Sequence, residues 1–297
     1  MYYNTDMRRI LFFTIYILFF AVISSLIFSL LYMQFDEQPM LALNKAIKYG
    51  AILLCAIFIA PTLKYLGIYK KNLLGFTEKK ITFLLNTLKG FSLSIILLLP
   101  LIFFFDLLEL RNLNNLGLIT FDKTFLYILI YTLLISFIIS FIEESYFRGI
   151  MIQKKNNLIS ICLVVAFSSL IYSLFHFIKI PLIIDEKIFW NTGLLELLQV
   201  FFNFFKTIEF DAATTLFVFG ILLGIIRHRL QTISYCIGIH AGFIFSIKTF
   251  KQNSSVNFNS EYNSYLSSYD HFTGSIATLW VTLILISYLL YIIKTKQ

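Results

Sequence analysis

The sequence predicts an all-α polytopic membrane protein, a bundle of about eight transmembrane helices with both termini in the cytoplasm. Composition gives the first reason, since 59% of the 297 residues are hydrophobic and only 13% are charged. Soluble domains carry about 25% charged residues, so this chain has no polar coat for water. The second reason is that the apolar residues gather into eight segments close to the length of a membrane span.

The predicted spans follow one another along the whole chain. They cover residues 10–33, 47–66, 91–109, 126–153, 158–179, 211–226, 232–248 and 273–293. No linker rich in Pro, Gly or Ser separates them, so residues 1–297 are predicted to form a single membrane domain. Residues 180–210 are too polar at intervals for a span and predict a helix in the interface. Residues 251–273 are rich in Asn, Ser and Tyr and predict an exposed loop.

Lysine and arginine predict the orientation of the chain, because cytoplasmic loops carry an excess of both. With Arg8 and Arg9 in the cytoplasm, the same side also receives Lys154, Lys155 and Arg227, while most acidic residues collect on the opposite side. This asymmetry favours an even number of spans. It also accounts for most of the formal net charge of +8. The basic residues would in addition favour anionic lipid headgroups. We therefore expect the lipid bilayer, and no nucleic acid, as a partner.

The segment FIEESYFRG, residues 141–149, places three charged side chains inside one of the most apolar stretches of the chain. A charge at the centre of a membrane helix costs about 2.5–3.5 kcal/mol on insertion scales and marks a functional site by default. Glu144 and Arg148 are four residues apart, so a helix places them on one face as an ion pair. Glu143 is rotated by about 100° from Glu144 and is free to face the bundle centre as the reactive carboxylate.

The histidines fall into two groups. His240 lies in the middle of the seventh predicted span, near the depth expected for Glu143, and His176 lies near the end of the fifth. His228 and His271 are predicted to lie at the surface, in a cytoplasmic turn and in the exposed loop. Only His176 and His240 are therefore candidates for chemistry within the membrane.

Two glycine pairs predict close contacts between helices. Gly220 with Gly224, and Gly238 with Gly242, form GxxxG patterns, which let two helix backbones approach each other in a membrane. Packing is the better interpretation of the first pair. The second pair brackets His240, so packing there would also hold the histidine against a neighbouring helix.

Glu143, His176 and His240 come from three predicted helices and allow three interpretations. The three side chains could bind a divalent metal such as zinc, with an open coordination position for water. They could also activate water without a metal, with Glu143 taking the proton and a histidine stabilising the developing charge. In the structural interpretation, a salt-bridged network fixes the helix register and the histidines are only hydrogen-bonded.

Three motifs in this order resemble those of the CPBP family, the CAAX protease and bacteriocin-processing proteins, which includes type II CAAX prenyl endopeptidases. EESYFR matches the family's EExxxR motif, and YSLFH matches its FxxxH motif with Tyr172 in the aromatic place and His176 as the histidine. HAGFI resembles its HxxxN motif, with His240 in place and Ile244 where the asparagine usually stands. The resemblance covers about residues 126–250, which would then form the catalytic helical core.

The resemblance implies a role for each matching residue. Glu143 is expected to be the catalytic general base, and His176 and His240 to complete the water-activating and oxyanion-binding site. Glu144 and Arg148 are expected to support this site structurally. The family is described both as metal-dependent and as glutamate-type, so the resemblance implies either no cofactor or a divalent metal bound by Glu143, His176 and His240.

We therefore interpret the chain as an intramembrane endopeptidase that hydrolyses a peptide bond of a membrane-associated protein or peptide. The alternative is a catalytically inactive scaffold or regulator of the same fold. A proton-coupled transporter is a third interpretation, but neither inverted repeats nor broken paired spans support it. The richness in Lys, Ile, Asn and Phe is typical of an AT-rich bacterial genome, so we expect the bacterial inner membrane as the location.

Overall fold

The computed structural model of the chain describes residues 3–35, 41–113, 123–153, 157–183 and 187–295. These residues contain nine α-helices and two short strands, which agrees with the predicted helical membrane protein. The helices are α1 (Tyr3–Tyr32), α2 (Leu43–Tyr65), α3 (Lys80–Leu107), α4 (Lys123–Glu144), α5 (Leu158–Phe175), α6 (Thr192–Thr207), α7 (Phe210–Leu230), α8 (Ser234–Gln252) and α9 (Ser275–Lys294). The strands are β1 (Arg111–Leu113) and β2 (Ser254–Val256).

Seven of the helices in the described part of the chain are long and apolar enough to cross a membrane. They are α1 to α5, α7 and α9, the α4 span running on to Ile150, and they correspond to seven of the eight predicted spans. The remaining predicted span, residues 232–248, coincides with α8, which is not among the seven. The number of spans and the cytoplasmic position of both termini therefore stay predictions. Lys154 and Lys155, which support that orientation, lie outside the described residues.

Two predictions about local structure were wrong. The fourth span does not continue as a regular helix to residue 153, because α4 ends at Glu144 and a π-helical turn, Ser145–Ile150, follows it. Residues 251–273 are not simply an exposed loop. They contain β2 and a 3₁₀ turn, Asn263–Tyr265, and β2 pairs with β1 in an antiparallel ladder.

The described residues fall into two compact units. The first unit, Met1–Lys70 with Leu174–Ile208, contains α1, α2 and α6. Its helices pack through small polar side chains, since Ser24 donates to the carbonyl of Ile47 and Ser29 accepts from the backbone N–H of Gly193. Residues 180–210 were predicted to contain a helix, and α6 forms within them.

The second unit, Lys71–Ser173 with Glu209–Gln297, contains the remaining helices and both strands. Within it α8 packs most extensively, against α3 and α4, and α7 packs against α9. Glycine makes the α3–α8 contact possible. A Cβ atom at Gly238 would collide with the carbonyl of Thr87, and one at Gly242 would collide with Ser94. The predicted close packing around His240 is confirmed.

The 251–273 segment is held to the end of α3 by a buried arginine. Arg111 donates from Nε to Oγ of Ser254 over 2.8 Å, and from Nη1 to the carbonyl of His271 over 3.1 Å. Its guanidinium also lies 5.6 Å from the ring centre of Phe250. Burial lowers the pKa of Arg111, and the negative charge of Asp270 opposes that shift. The segment is thus an ordered part of the second unit.

Candidate active site

Glu144 is the buried centre of a polar cluster in the second unit. Its Oε1 atom lies 3.2 Å from Nη1 of Arg148 and 2.8 Å from Nδ1 of His240, and its side chain is 0% exposed. The ion pair predicted from the spacing of Glu144 and Arg148 is therefore present. Because an ionised carboxylate only accepts hydrogen bonds, the proton of the contact with His240 belongs to Nδ1. Glu144 thus orients the imidazole through Nδ1.

Arg148 is also buried, and it contacts the same oxygen of Glu144 as His240 does. Its Cζ atom lies 4.4 Å from the ring centre of Tyr172, within the range of a cation–π contact. Its Nη2 atom donates to the carbonyl of Gly220 over 3.4 Å. Arg148 therefore neutralises Glu144 and joins the end of the fourth span to α5 and α7.

His240 lies in the middle of α8 and turns its second nitrogen toward the other glutamate. Nε2 of His240 is 3.9 Å from Oε2 of Glu143 and 3.4 Å from the hydroxyl oxygen of Tyr172. The ring of Phe219 meets the imidazole edge-on at 5.5 Å between ring centres. The imidazole is thus held between Glu144 at Nδ1 and two polar groups at Nε2.

Glu143 differs from Glu144 in exposure and in contacts. Its side chain is 27% exposed, whereas that of Glu144 is completely buried. Its Oε2 atom is nevertheless buried and has no hydrogen-bond partner among the described residues. Buried polar atoms normally have a partner, and ordered water supplies it where the protein does not. Glu143 therefore combines an accessible side chain with a carboxylate oxygen able to hold a water molecule beside His240.

The backbone changes from α-helix to π-helix directly after the two glutamates. Single π turns within helices occur frequently at functional sites. Gly149 allows this turn to pack tightly, because a Cβ atom there would lie 2.9 Å from the carbonyl oxygen of Leu74. The oxygen of Ser168 donates to the carbonyl of Phe147 within the same turn. The π turn thus positions Arg148 against its neighbours by backbone contacts as well as by charge.

Arg227 is a third buried arginine, and its predicted position in a turn is wrong. It was assigned to a cytoplasmic turn, but it lies in the last turn of α7 with only 1% of its surface exposed. Its Nε donates to the carbonyl of Arg148 and its Nη2 to the carbonyl of Leu73, both over 3.1 Å. His228, which was also predicted to lie in that turn, is part of α7 as well. Arg227 therefore stabilises the π turn through the carbonyl of Arg148. The sequence did not indicate this role, because Arg227 stands in a run of basic residues that is typical of a cytoplasmic turn.

The remaining two histidines are His176 and His271. His176 follows the last residue of α5 and belongs to the first unit, and its participation in the site stays a prediction. His271 is partly buried in the 251–273 segment, where its carbonyl accepts from Arg111 and its ring meets Phe258. It has a structural role there.

The cluster around Glu144 contains some of the ligands that a catalytic zinc site uses. Among the residues that the structure describes, no group of three or more His, Cys, Asp or Glu side chains has the arrangement that could hold an ion. Within the cluster, Glu144 Oε1 and His240 Nδ1 are already bound to each other. Glu143 and Nε2 of His240 are then two donors, whereas catalytic zinc sites use three protein ligands. His176 is the third ligand that the resemblance names, and a metal site that includes it stays a prediction.

The 251–273 segment comes into electrostatic range of Glu143. Burial raises the pKa of Tyr269 to about 12, and the negative charges of Asp270 and then Glu143 add to the rise. Tyr269 stays protonated throughout the physiological range and presents a neutral phenol on this side of the cluster. Nothing in the composition of the segment pointed to this proximity.

Comparison with known proteins identifies the domain around this cluster. Residues 125–246, about two fifths of the chain, match the family model of the Rce1-like type II CAAX prenyl endopeptidases. This range is similar to the Rce1-like domain. No curated protein and no solved structure gives a significant match. The match confirms the resemblance to CAAX proteases and agrees with the multiple apolar helices of a membrane protease.

The Rce1-like domain contains every residue of the cluster. Its range begins two residues into α4 and ends within α8, so it includes Glu143, Glu144, Arg148, Tyr172 and His240. The family suggests protease activity for the domain as a whole.

Proposed function

We propose that the Rce1-like domain is an intramembrane endopeptidase that uses Glu143 to activate water. The supporting observation is the pairing of a partly exposed Glu143 with His240, whose Nε2 lies 3.9 Å from Oε2 of the carboxylate. A general base must reach the proton that it abstracts, directly or through one water molecule. A water molecule bound to Oε2 meets this requirement and also contacts His240.

In this mechanism Glu143 takes a proton from water as the water oxygen bonds to the carbonyl carbon of the substrate. The carbonyl π electrons move onto its oxygen and form a tetrahedral oxyanion. When the intermediate collapses, the C–N bond breaks and Glu143 returns the proton to the leaving amine. One water molecule is consumed and the base is regenerated, so the sequence balances without a further reactant.

His240 stabilises the oxyanion in its charged form. Glu144 already holds the proton on Nδ1, so only the imidazolium offers a second N–H, at Nε2. A donor aimed at a developing oxyanion is among the strongest sources of catalysis in a site shielded from water. Glu144 and Arg148 take no part in proton transfer in this scheme, and they position His240. His176, placed next to the site by the motif resemblance, is the second proposed stabilising group.

The proposed substrate is a membrane-associated protein or peptide. The domain name refers to prenylated CAAX sequences, so a farnesylated CAAX peptide is the first substrate to test. The composition of the chain favours a bacterium, and we place the protein in the inner membrane. Among the described residues, the polar cluster lies between helices long enough to span a bilayer, which favours cleavage within the membrane rather than outside it.

Glu143→Gln tests this function. Glutamine keeps the shape of the side chain but cannot accept the proton, so we expect proteolysis to fall at least a hundredfold with folding retained. Cells with equal amounts of wild type or variant would be compared by membrane proteomics for protein termini that depend on Glu143. Purified proteins would be assayed in parallel on a fluorogenic farnesylated CAAX peptide. Glu261→Gln, at an exposed glutamate of the 251–273 segment, is the matched control.

The outcomes separate the enzyme from the scaffold. Termini present with wild type and Glu261→Gln, but absent with Glu143→Gln, would establish proteolysis and name the substrate. Identical termini in all three strains, together with a cellular phenotype that survives Glu143→Gln, would refute the proposal and favour a non-catalytic membrane scaffold.

A further inference from the structure

Tyr172 places a buried hydroxyl group beside the proposed catalytic histidine. The side chain is 1% exposed, and its hydroxyl oxygen lies 3.4 Å from Nε2 of His240. A tyrosine hydroxyl buried in a protein usually has a hydrogen-bond partner. The geometry makes Nε2 of His240 such a partner.

The ring of Tyr172 is fixed from two sides. Arg148 lies 4.4 Å above its centre, and the ring of Phe147 meets it edge-on at 5.3 Å. Both neighbours belong to the π turn that follows the two glutamates. Because this turn holds the phenol ring, the hydroxyl is presented to His240 from a rigid position.

The two nitrogens of His240 are therefore held from different helices. Nδ1 contacts Glu144 at the end of α4, and Nε2 contacts Tyr172 in α5. A carboxylate can only accept, but a phenol can donate or accept. Tyr172 can donate to Nε2 of the neutral imidazole, and as an acceptor it can share the Nε2–H of the imidazolium with the oxyanion. It can thus hold the same ring position in both protonation states.

We propose that Tyr172 is a positioning residue, which keeps Nε2 of His240 directed at the water and oxyanion beside Glu143. This inference rests on the proposed endopeptidase function. Tyr172 does not contact the substrate in this scheme and acts through His240. Loss of its hydroxyl leaves Nε2 with only the 3.9 Å approach to Oε2 of Glu143, so that the Nε2 end is less constrained during turnover.

Tyr172→Phe removes the hydroxyl and keeps the ring. Phenylalanine is the residue named at this place in the FxxxH motif, so the contacts with Arg148 and Phe147 are retained. On the farnesylated CAAX peptide we expect kcat to fall about tenfold, the loss of one hydrogen bond, with KM unchanged. Tyr16→Phe is the matched control, because Tyr16 is a buried tyrosine in the first unit whose hydroxyl donates to the carbonyl of Cys55 over 3.0 Å.

A second measurement separates positioning from a general effect on folding and does not need a substrate. The ¹⁵N resonances of the His240 ring would be recorded in detergent, with His240→Gln used to assign them among the four histidines. We expect the Nε2 resonance to shift in Tyr172→Phe and to stay unchanged in Tyr16→Phe. A resonance that does not move would overturn the contact, and hence the inference.

The activity assay distinguishes this inference from the function on which it rests. If wild type cleaves the peptide and Tyr172→Phe cleaves it with the same kcat, the positioning role is refuted while the protease remains. If wild type yields neither peptide cleavage nor new cellular termini, the proposed function fails and the positioning role fails with it.

Discussion

At the scale of single residues, shared contacts explain how two adjacent carboxylates are held among apolar side chains. Glu144 contacts Arg148 and His240 through one oxygen, so its charge is balanced locally. Burying an ion pair is costly, and replacing one by apolar residues is often neutral or stabilising. A buried pair next to a partly exposed carboxylate is therefore better explained by function than by stability.

Removing one partner of this pair should destabilise the protein more than removing both charges. Arg148→Met leaves Glu144 buried beside His240 alone, and we expect the free energy of unfolding to fall by about 3–5 kcal/mol. The double variant Glu144→Gln/Arg148→Met carries no unpaired carboxylate and should recover part of that loss. Thermal unfolding of the purified proteins in one detergent would measure both. A double variant no more stable than Arg148→Met would contradict the charge argument.

The sequence predicted the charged residues of the site better than their neighbours. The four-residue spacing of Glu144 and Arg148 predicted their ion pair, and the equal depths of Glu143 and His240 agree with their 3.9 Å approach. The π turn was not predictable, since it follows no residue pattern comparable to helical periodicity. Arg227 was misplaced because a basic residue at the end of a span usually reaches water, whereas this one donates to backbone carbonyls.

At the scale of elements, the contact between α3 and α8 sets the position of His240. Gly90 on α3 faces the backbone of α8, where a Cβ atom would lie 2.8 Å from the carbonyl of Tyr235. Gly238 and Gly242 face the backbone of α3 in return. Three glycines therefore let the two helices approach until their backbones touch, as GxxxG contacts do in membranes. The depth of His240 follows from this register.

Gly238→Ala tests this contact. The added Cβ would collide with the backbone carbonyl of Thr87, which cannot rotate away, so α8 must shift. We expect a loss of about 1–3 kcal/mol in the free energy of unfolding, together with reduced activity because His240 shifts with α8. Gly224→Ala is the control, since its Cβ would meet side-chain methyl groups of Val165 and Ile152, which can shift, rather than backbone. Thermal unfolding and peptide cleavage would be measured for both. Equal effects of the two substitutions would contradict a special role for α8.

The 251–273 segment shows why composition alone misled the prediction. Several of its polar side chains bind backbone groups, both within the segment and at the end of α3. Oδ1 of Asp270 accepts from the N–H groups of Phe272 and Thr273 over 3.0 and 2.8 Å. Phe272 is buried against Phe105 of α3, with ring centres 5.0 Å apart. A polar segment that satisfies its own backbone can cover apolar residues, and residue frequencies do not reveal this.

At the scale of the whole molecule, hydropathy predicted the spans that the bilayer itself requires. A helix that faces lipid must be apolar, so seven helices carry a clear signal. α8 faces other helices instead, and most of residues 234–243 are buried. A helix enclosed by protein can carry His240 and Lys248 at little cost, and its span is correspondingly harder to recognise. Burial by protein therefore weakens the apolar signal of α8, although the sequence still predicts it as the span 232–248.

The number of spans determines where the two termini lie. Seven spans place the termini on opposite sides of the membrane, and eight place them on the same side. We expect α8 to cross, because its 19 residues measure about 28 Å, close to the hydrocarbon thickness. In a cysteine-free background, cysteines at the exposed positions Arg229 and Asn259, before and after α8, should react with a membrane-impermeant maleimide from opposite sides. Reporter fusions at the two termini should both indicate the cytoplasm. Labelling of both cysteines from one side would show that α8 does not cross, and it would refute the predicted position of the C-terminus.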